Sequence, residues 1–316
     1  MRLALLGLVQ RVAAAASPLR PVIEVDRIAR EHQAGVIISD ARRYRVDATV
    51  ELLSVPLVSK QNVGGGWAMV EQAVSGSSRT TVLQFSGGSW PNRLKGFKRF
   101  GMTQEVVHEE DGAILESAYL RFMTSAAEKS FNQARKAFED PMDPVAITVA
   151  HGGATRSGYA SALDRLKAPS HYTWSNTAEL MEEVREQVSP SQPVSLGSTR
   201  DSAFPTFLHA VRAAVLAGAE SCQSTFAQNA KLYRLRTRLA SVNNGLTAVK
   251  GWIAEQGSTH EFEFRVWFDP RDSSTLPVRI EFRPTSFLRL VFEDDPAVGG
   301  PEFPCLLTRL LPKERA

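Results

Sequence analysis

"HEFEFRVWF", residues 260–268, decides the fold. Phe262, Phe264, Val266 and Phe268 alternate with Glu261, Glu263, Arg265 and Trp267, and a period of two puts alternate side chains on opposite faces of a strand. The turn formers of "DPRDSST" (269–275) follow. In "LPVRIEF" (276–282), Val278, Ile280 and Phe282 then alternate with Arg279 and Glu281, and Arg283 continues the polar series. "PTS" leads into "FLRLVF" (287–292), with Leu288, Leu290 and Phe292 on one face. Three such runs in succession predict an antiparallel meander with one buried face. The mixture of Glu and Arg on the other face suits cross-strand charge pairing.

The same period recurs upstream. "RVDATVEL" (45–52) places Val46, Ala48, Val50 and Leu52 together. "WAMVEQAV" (67–74) and "TTVLQF" (80–85) are separated by the turn residues of "SGSSR". "ESAYLRFM" (116–123) aligns Ala118, Leu120 and Phe122, and "LYRLRTRLASV" (232–242) sets Tyr233, Leu235, Thr237 and Leu239 against Arg234, Arg236 and Arg238. Helical spacing interrupts the strands at "SAAEKSFNQARKAFED" (125–140), "SNTAELMEEVREQVS" (175–189) and "PTFLHAVRAAVLAGAES" (205–221). The Pro/Ser stretch "SPSQPVSLGSTRDSAFP" (189–205) reads as a loop within one domain. The fold class expected is mainly β (α+β): a highly curved antiparallel sheet, β-spiral or barrel with about three inserted helices. The patterned runs are shorter than lipid-facing barrel strands, which favours a soluble sheet.

Composition sets wide bounds. The 316 residues carry 37 basic and 34 acidic side chains, a net charge of +3, too balanced for a nucleic-acid face without a recognisable module. No apolar run reaches the roughly 18 residues of a membrane-spanning helix. The start, "MRLALLGLVQRVAAAASPLRP", has Arg2, the apolar stretch Leu3–Val9 and the small residues Ala13–Ser17. That is the outline of a signal peptide over residues 1–16, leaving a single β-rich domain from 17 to 316. The expected compartment is therefore periplasmic or secreted; an amphipathic first helix and a cytoplasmic protein is the alternative. In an oxidising compartment the two cysteines, Cys222 and Cys305, favour a disulfide closing a loop of about 80 residues, worth on the order of 4 kcal/mol. The alternative is two buried free thiols.

Few residues suggest chemistry. "SKQNVGGGWAMVEQAV" (59–74) contains three successive glycines, but no Lys-Ser/Thr follows and the next residues read as strand, so a phosphate loop is not expected. A turn or bulge ahead of Trp67 is. "TVAHGGATRSGYASALDR" (148–165) has His151-Gly152-Gly153 but no Gly-x-Ser-x-Gly elbow, and reads as a glycine-rich turn. "HEEDG" (108–112) is a hairpin turn carrying the Asp-Gly signal. The six histidines, at 32, 108, 151, 171, 209 and 260, show no metal-ligand spacing. No catalytic residue, metal ligand or cofactor is assigned. The one candidate binding segment is the loop "SGGSWPNRLKGFKRFG" (86–101), where Trp90 is interleaved with Arg93, Lys95, Lys98 and Arg99. Aromatic and basic groups together can grip anionic head groups; otherwise the aromatics enter the core and the charges face water.

"FPTFLHAVRAAVLAG" (204–218), followed by strands, resembles a segment of bacterial periplasmic β-spiral proteins of cell-envelope integrity. "VWFDPRDSSTLPVRIEF" (266–282) with "FLRLVF" is similar to the last strands of periplasmic β-barrel families of unknown function. The resemblance implies export, a strongly curved antiparallel sheet, a disulfide in the β-spiral group, and no known enzymatic activity. The functional expectation is a non-enzymatic envelope protein binding a lipid, glycan or protein partner on the curled sheet. A hydrolase acting on an envelope substrate and a structural interaction domain are the alternatives. A purely apolar cavity would favour lipid carriage.

Overall fold

The structure, a computed structural model, describes residues 24–52, 55–94, 99–123, 147–151, 158–161, 173–187, 192–194, 208–209, 211–212, 220–228, 231–243, 245–272, 274–285, 287–300 and 302–310. The segment 1–16 and the helical pattern at 125–140 lie outside these residues.

Fourteen strands form one sheet among the described residues, every neighbouring pair antiparallel. They are β1 (Val36–Leu52), β2 (Val55–Ser75), β3 (Ser78–Ser89), β4 (Phe100–Glu110), β5 (Ala113–Met123), β6 (Ile147–His151), β7 (Gly158–Ser161) and β8 (Gln192–Val194). β9 (Ser221–Gln228), β10 (Lys231–Asn243), β11 (Leu246–Glu255), β12 (Phe262–Phe268), β13 (Arg279–Thr285) and β14 (Leu288–Asp294) complete them. The spatial order is β8-β7-β6-β5-β4-β3-β2-β1-β14-β13-β12-β11-β10-β9. Two meanders thus meet at the β1–β14 seam, where Val46 faces Phe292 and Val50 faces Leu288. β9 comes close to β6, so the sheet curls back toward itself. The sheet is not closed: no ladder joins β8 to β9 among the described residues.

The turns follow their sequence signals. Asp111 (φ 50) and Gly112 (φ 79) make a two-residue left-handed turn between β4 and β5, the geometry that Asp-Gly favours. Gly76 (φ 61) opens the β2–β3 turn. The C-terminal meander forms as its alternation predicts, and the Glu/Arg face is paired: Lys250–Glu263 at 2.8 Å, Arg236–Glu261 at 2.7 Å and Arg279–Glu293 at 3.5 Å. Buried Glu51 on β1 accepts ion pairs from Arg289 at 2.9 Å and Arg283 at 3.0 Å, fastening the seam to β13 and β14.

Gly64, Gly65 and Gly66 are no turn. β2 runs straight through them, opposite Ser89, Gly88 and Gly87 of β3. The expected irregularity lies just before, where Asn62 takes φ 50 and the β1–β2 register shifts after Val46. Likewise Gly87, Gly88 and Gly101 belong to strands, so β3 and β4 take both ends of the expected loop 86–101. The reason is steric. A Cβ on Gly65 would stand 2.1 Å from the Trp174 indole on one face of the sheet, and one on Gly87 2.8 Å from the Phe292 ring on the other. Two large aromatics from opposite sides rest on bare backbone.

Three helices are described in full: α1 (Glu24–Glu31), α2 (Thr177–Gln187) and α3 (Leu306–Leu310). Leu208, His209, Val211 and Arg212 form a further helical fragment. Of the three helices expected to be inserted, those at 175–189 and 205–221 correspond to α2 and this fragment, and the one at 125–140 lies outside the described residues. α2 and the fragment are inserted, whereas α1 precedes the sheet and α3 follows it. All three full helices join one core with the same face of β2–β5, where Val25, Ile28, Met181, Val184 and Leu307 are buried against Trp67, Met102 and Leu120. Burying each such large side chain stabilises by about 1.5–3 kcal/mol. Two polar side chains of this layer bond the chain leading into α3: Glu71 accepts the Leu306 N–H at 2.7 Å, and Gln84 donates to the Pro304 carbonyl at 2.6 Å. Arg185 of α2 joins Asp26 of α1 at 3.1 Å. On β4, the ring of His108 stacks on His32 with centroids 3.5 Å apart, and its Nδ1 lies 3.0 Å from Thr80 Oγ1.

Candidate functional site

With the helices on one face, the other face of β2–β5 turns inward. Strand alternation and register line up Ala68, Phe85, Thr103 and Arg121 as one row across four strands, beside the side-chain-free row Gly66, Gly87 and Gly101. β12–β14 present the opposing wall. Their rows, Phe264–Phe282–Leu290 and Val266–Ile280–Phe292, are also fixed by register. Between the walls lies a cavity of about 430 Å³, lined almost wholly by carbon. Phe292 spans part of the gap, resting against Gly87 and packing on Phe85 with ring centroids 5.5 Å apart.

The helical fragment covers the cavity, contributing Leu208, Val211 and Arg212 to its lining. A buried carboxylate holds the fragment down: Glu105 of β4 accepts the backbone N–H groups of Leu208 at 2.9 Å and His209 at 3.1 Å. His209 Nε2 also lies 3.6 Å from Glu109, and that contact holds the Glu109 carboxyl below its usual pKa. The segment 275–277 closes another side, and buried Tyr44 pins it by donating to the Pro277 carbonyl at 2.8 Å. Burial pushes the Tyr44 phenol far up, so it stays a donor at any ordinary pH.

Among the described residues, charge enters this lining at two positions, Arg121 and Arg212, and no described carboxylate lines it. Arg212 Nε donates to Thr275 Oγ1 at 3.4 Å. Burial, then the charge of Arg79, pushes the Arg212 pKa down, while Glu109 and Asp40 oppose the shift. Arg121 stands beside Thr103 in the floor row, half-buried.

The predicted basic loop sits elsewhere. Trp90 packs edge-on against wholly buried Trp174, centroids 5.0 Å apart, and its backbone N–H donates to the Val63 carbonyl at 2.7 Å. Arg93 is exposed, and its carbonyl accepts from Lys60 Nζ. Arg99 is half-buried, with its backbone tied to Ser89. Lys95 and Lys98 lie outside the described residues.

The expected disulfide is not formed: Cys222 and Cys305 are free thiols. Cys222 belongs to β9, the outermost strand of the C-terminal meander, opposite Thr237. Cys305 leads into α3 and packs into the helix-covered core. The two occupy different layers of the molecule. Burial, then the neighbouring Glu71, pushes the Cys305 thiol above its usual pKa.

Sequence reasoning expected a ligand on the curled sheet but named as ligand contacts none of the residues that line this cavity. The available signal was the glycine content of two adjacent strands, "GGG" at 64–66 and "GG" at 87–88. Once in register, those residues leave a patch of sheet with no side chains.

No protein-family model matches the chain, and no curated protein is significantly similar to it. Among solved structures, a β-barrel-like protein of a domain of unknown function, DUF1849, from Brucella abortus superposes with a TM-score of 0.41. It is 8% identical, and the match covers 83% of this chain and 97% of that one.

Proposed function

We propose that the protein is a binding protein of the cell envelope that holds the apolar part of a lipid-like ligand inside its curled sheet. The observation that carries this is the cavity of about 430 Å³ with carbon walls, a volume within the roughly 300–1,000 Å³ of small-molecule sites. Cores normally close such space, because an empty lining forfeits its dispersion contacts. Here a glycine row, a capped helical fragment and a pinned loop combine to leave it open. The envelope part of the proposal rests on Arg2, Leu3–Val9 and Ala13–Ala16, the pattern of an exported chain. The basic loop of Trp90, Arg93, Lys95, Lys98 and Arg99 belongs to the same proposal as a contact for anionic envelope surfaces.

Titration with N-phenyl-1-naphthylamine, a neutral apolar fluorophore, tests the cavity. Saturable binding near one equivalent is expected, with loss of binding in Ile280→Trp, whose indole would fill the space. Absence of saturable binding, or undiminished binding in a folded Ile280→Trp variant, would overturn it.

A further inference from the structure

We propose that the ligand is a single-chain anionic amphiphile whose acidic head is held by Arg121. This rests on the reading of the cavity as a lipid site. The argument is one of charge: an apolar cavity whose described lining has cationic residues and no anionic ones selects against cations and favours acids. Its volume suits one chain rather than a two-chain lipid.

Arg121, rather than Arg212, is assigned the head group for three reasons. Arg212 already feels the charges of Glu109 and Asp40, and it hydrogen-bonds Thr275. Arg121 makes no hydrogen bond or ion pair with any described residue, although a guanidinium offers five N–H donors in a fork that fits a carboxylate. Its cross-strand neighbour is Thr103, whose hydroxyl could complete a two-residue cradle. From there the row Thr103–Phe85–Ala68 leads straight along the cavity floor. A head at Arg121 therefore directs its chain over Phe85 and Gly87 toward Phe292.

The test uses three probes of equal chain length on the full chain: laurate, 1-dodecanol and dodecyltrimethylammonium. The wild type should bind laurate about tenfold or more tighter than dodecanol, the scale of a charge-assisted hydrogen bond, and the cation most weakly. In Arg121→Gln the laurate preference should fall to within about twofold of dodecanol, with dodecanol affinity unchanged. Arg121→Lys should restore part of it. Arg212→Gln should leave the preference in place. If wild type binds laurate and dodecanol equally, the anionic assignment fails while the cavity reading stands. If none of the three binds, both fail. Loss of the preference in Arg212→Gln but not in Arg121→Gln overturns the choice of arginine. Should Arg121→Gln not fold, the wild-type order of the three probes still decides the sign of the head group.

Discussion

Replacing Gly65 with alanine tests whether the glycine run exists to receive an aromatic ring. The new Cβ would lie 2.1, 2.6 and 2.7 Å from Cζ2, Cε2 and Cη2 of Trp174, where ordinary contact begins near 3.4 Å. The indole would have to retreat by about 1.3 Å, and it has little freedom to do so. Trp174 is wholly buried, Trp90 packs on its edge, and its carbonyl accepts from both Ser86 and Thr177 hydroxyls. Overpacking of this kind costs about 1–3 kcal/mol, and the rigid surroundings place Gly65→Ala near the upper end. Alanine regains about 0.5–1 kcal/mol of backbone entropy over glycine in a strand, so a net loss of about 2 kcal/mol is expected. Trp174→Ala alone should cost about 3–5 kcal/mol.

The double variant separates packing from propensity. With the indole gone, the methyl group introduced at position 65 enters the vacated space, and Gly65→Ala should become neutral or slightly stabilising. The coupling between the two sites should then be about 2 kcal/mol. Guanidinium unfolding followed by far-UV circular dichroism measures it without relying on tryptophan emission. Additivity within about 0.5 kcal/mol would refute the contact and return Gly65 to a purely conformational role. Gly112→Ala is the control: its φ of 79 is strained for alanine, but nothing lies within 4 Å. It should cost about 1–2 kcal/mol in either background.

His108 is buried and stacked on His32, and burial followed by that neighbour lowers its pKa. The neutral form is favoured on folding, so its contribution is complete above the unfolded value near 6.5 and declines as pH falls below it. Thermal midpoints should drop between pH 7 and 5, and less steeply in His108→Gln; parallel profiles would refute this. Thiol titration of denatured, unreduced protein should find two thiols, and in the folded protein Cys305 should react slowly because its thiolate is disfavoured. Finding no thiol in the denatured, unreduced protein would restore the disulfide. Trp90→Ala should cost about 3 kcal/mol, since the ring packs in the core. Replacing Arg93, Lys95, Lys98 and Arg99 with Gln should leave stability within about 0.5 kcal/mol and weaken salt-sensitive attachment to anionic vesicles. Unchanged attachment would remove the loop from the proposed function.

The meanders were legible because alternation is a local property, and each strand's pattern names its own buried face. Asp111-Gly112 was legible because a two-residue left-handed turn demands those residues. α1 was not. Val25, Ile28 and Ala29 span too few positions to show a period, and the helix is fixed by docking on β4 and β5. The glycine run was misread for a related reason. Isolated in sequence, glycine signals backbone freedom, yet Gly65 and Gly87 serve the opposite end, an extended strand onto which distant aromatics close.

The cavity lies deeper still beyond local reading. Phe85 and Phe292, some two hundred positions apart, meet only after both meanders form and the sheet curls at the β1–β14 seam. A run such as "TTVLQF" announces an inward face but not whether that face meets a packed partner or a void. The void depends on which residues fall opposite, and here glycines fall opposite glycines: Gly66 against Gly87, and Gly87 against Gly101. Shifting a pairing by one position would put Ser86 or Gly88 opposite Gly66, or Phe100 or Met102 opposite Gly87, and, since the side-chain period is two, turn the apolar rows outward. Register therefore makes the site. A residue inserted near the β2–β3 turn, far from any lining side chain, should abolish ligand binding more completely than loss of a single lining side chain.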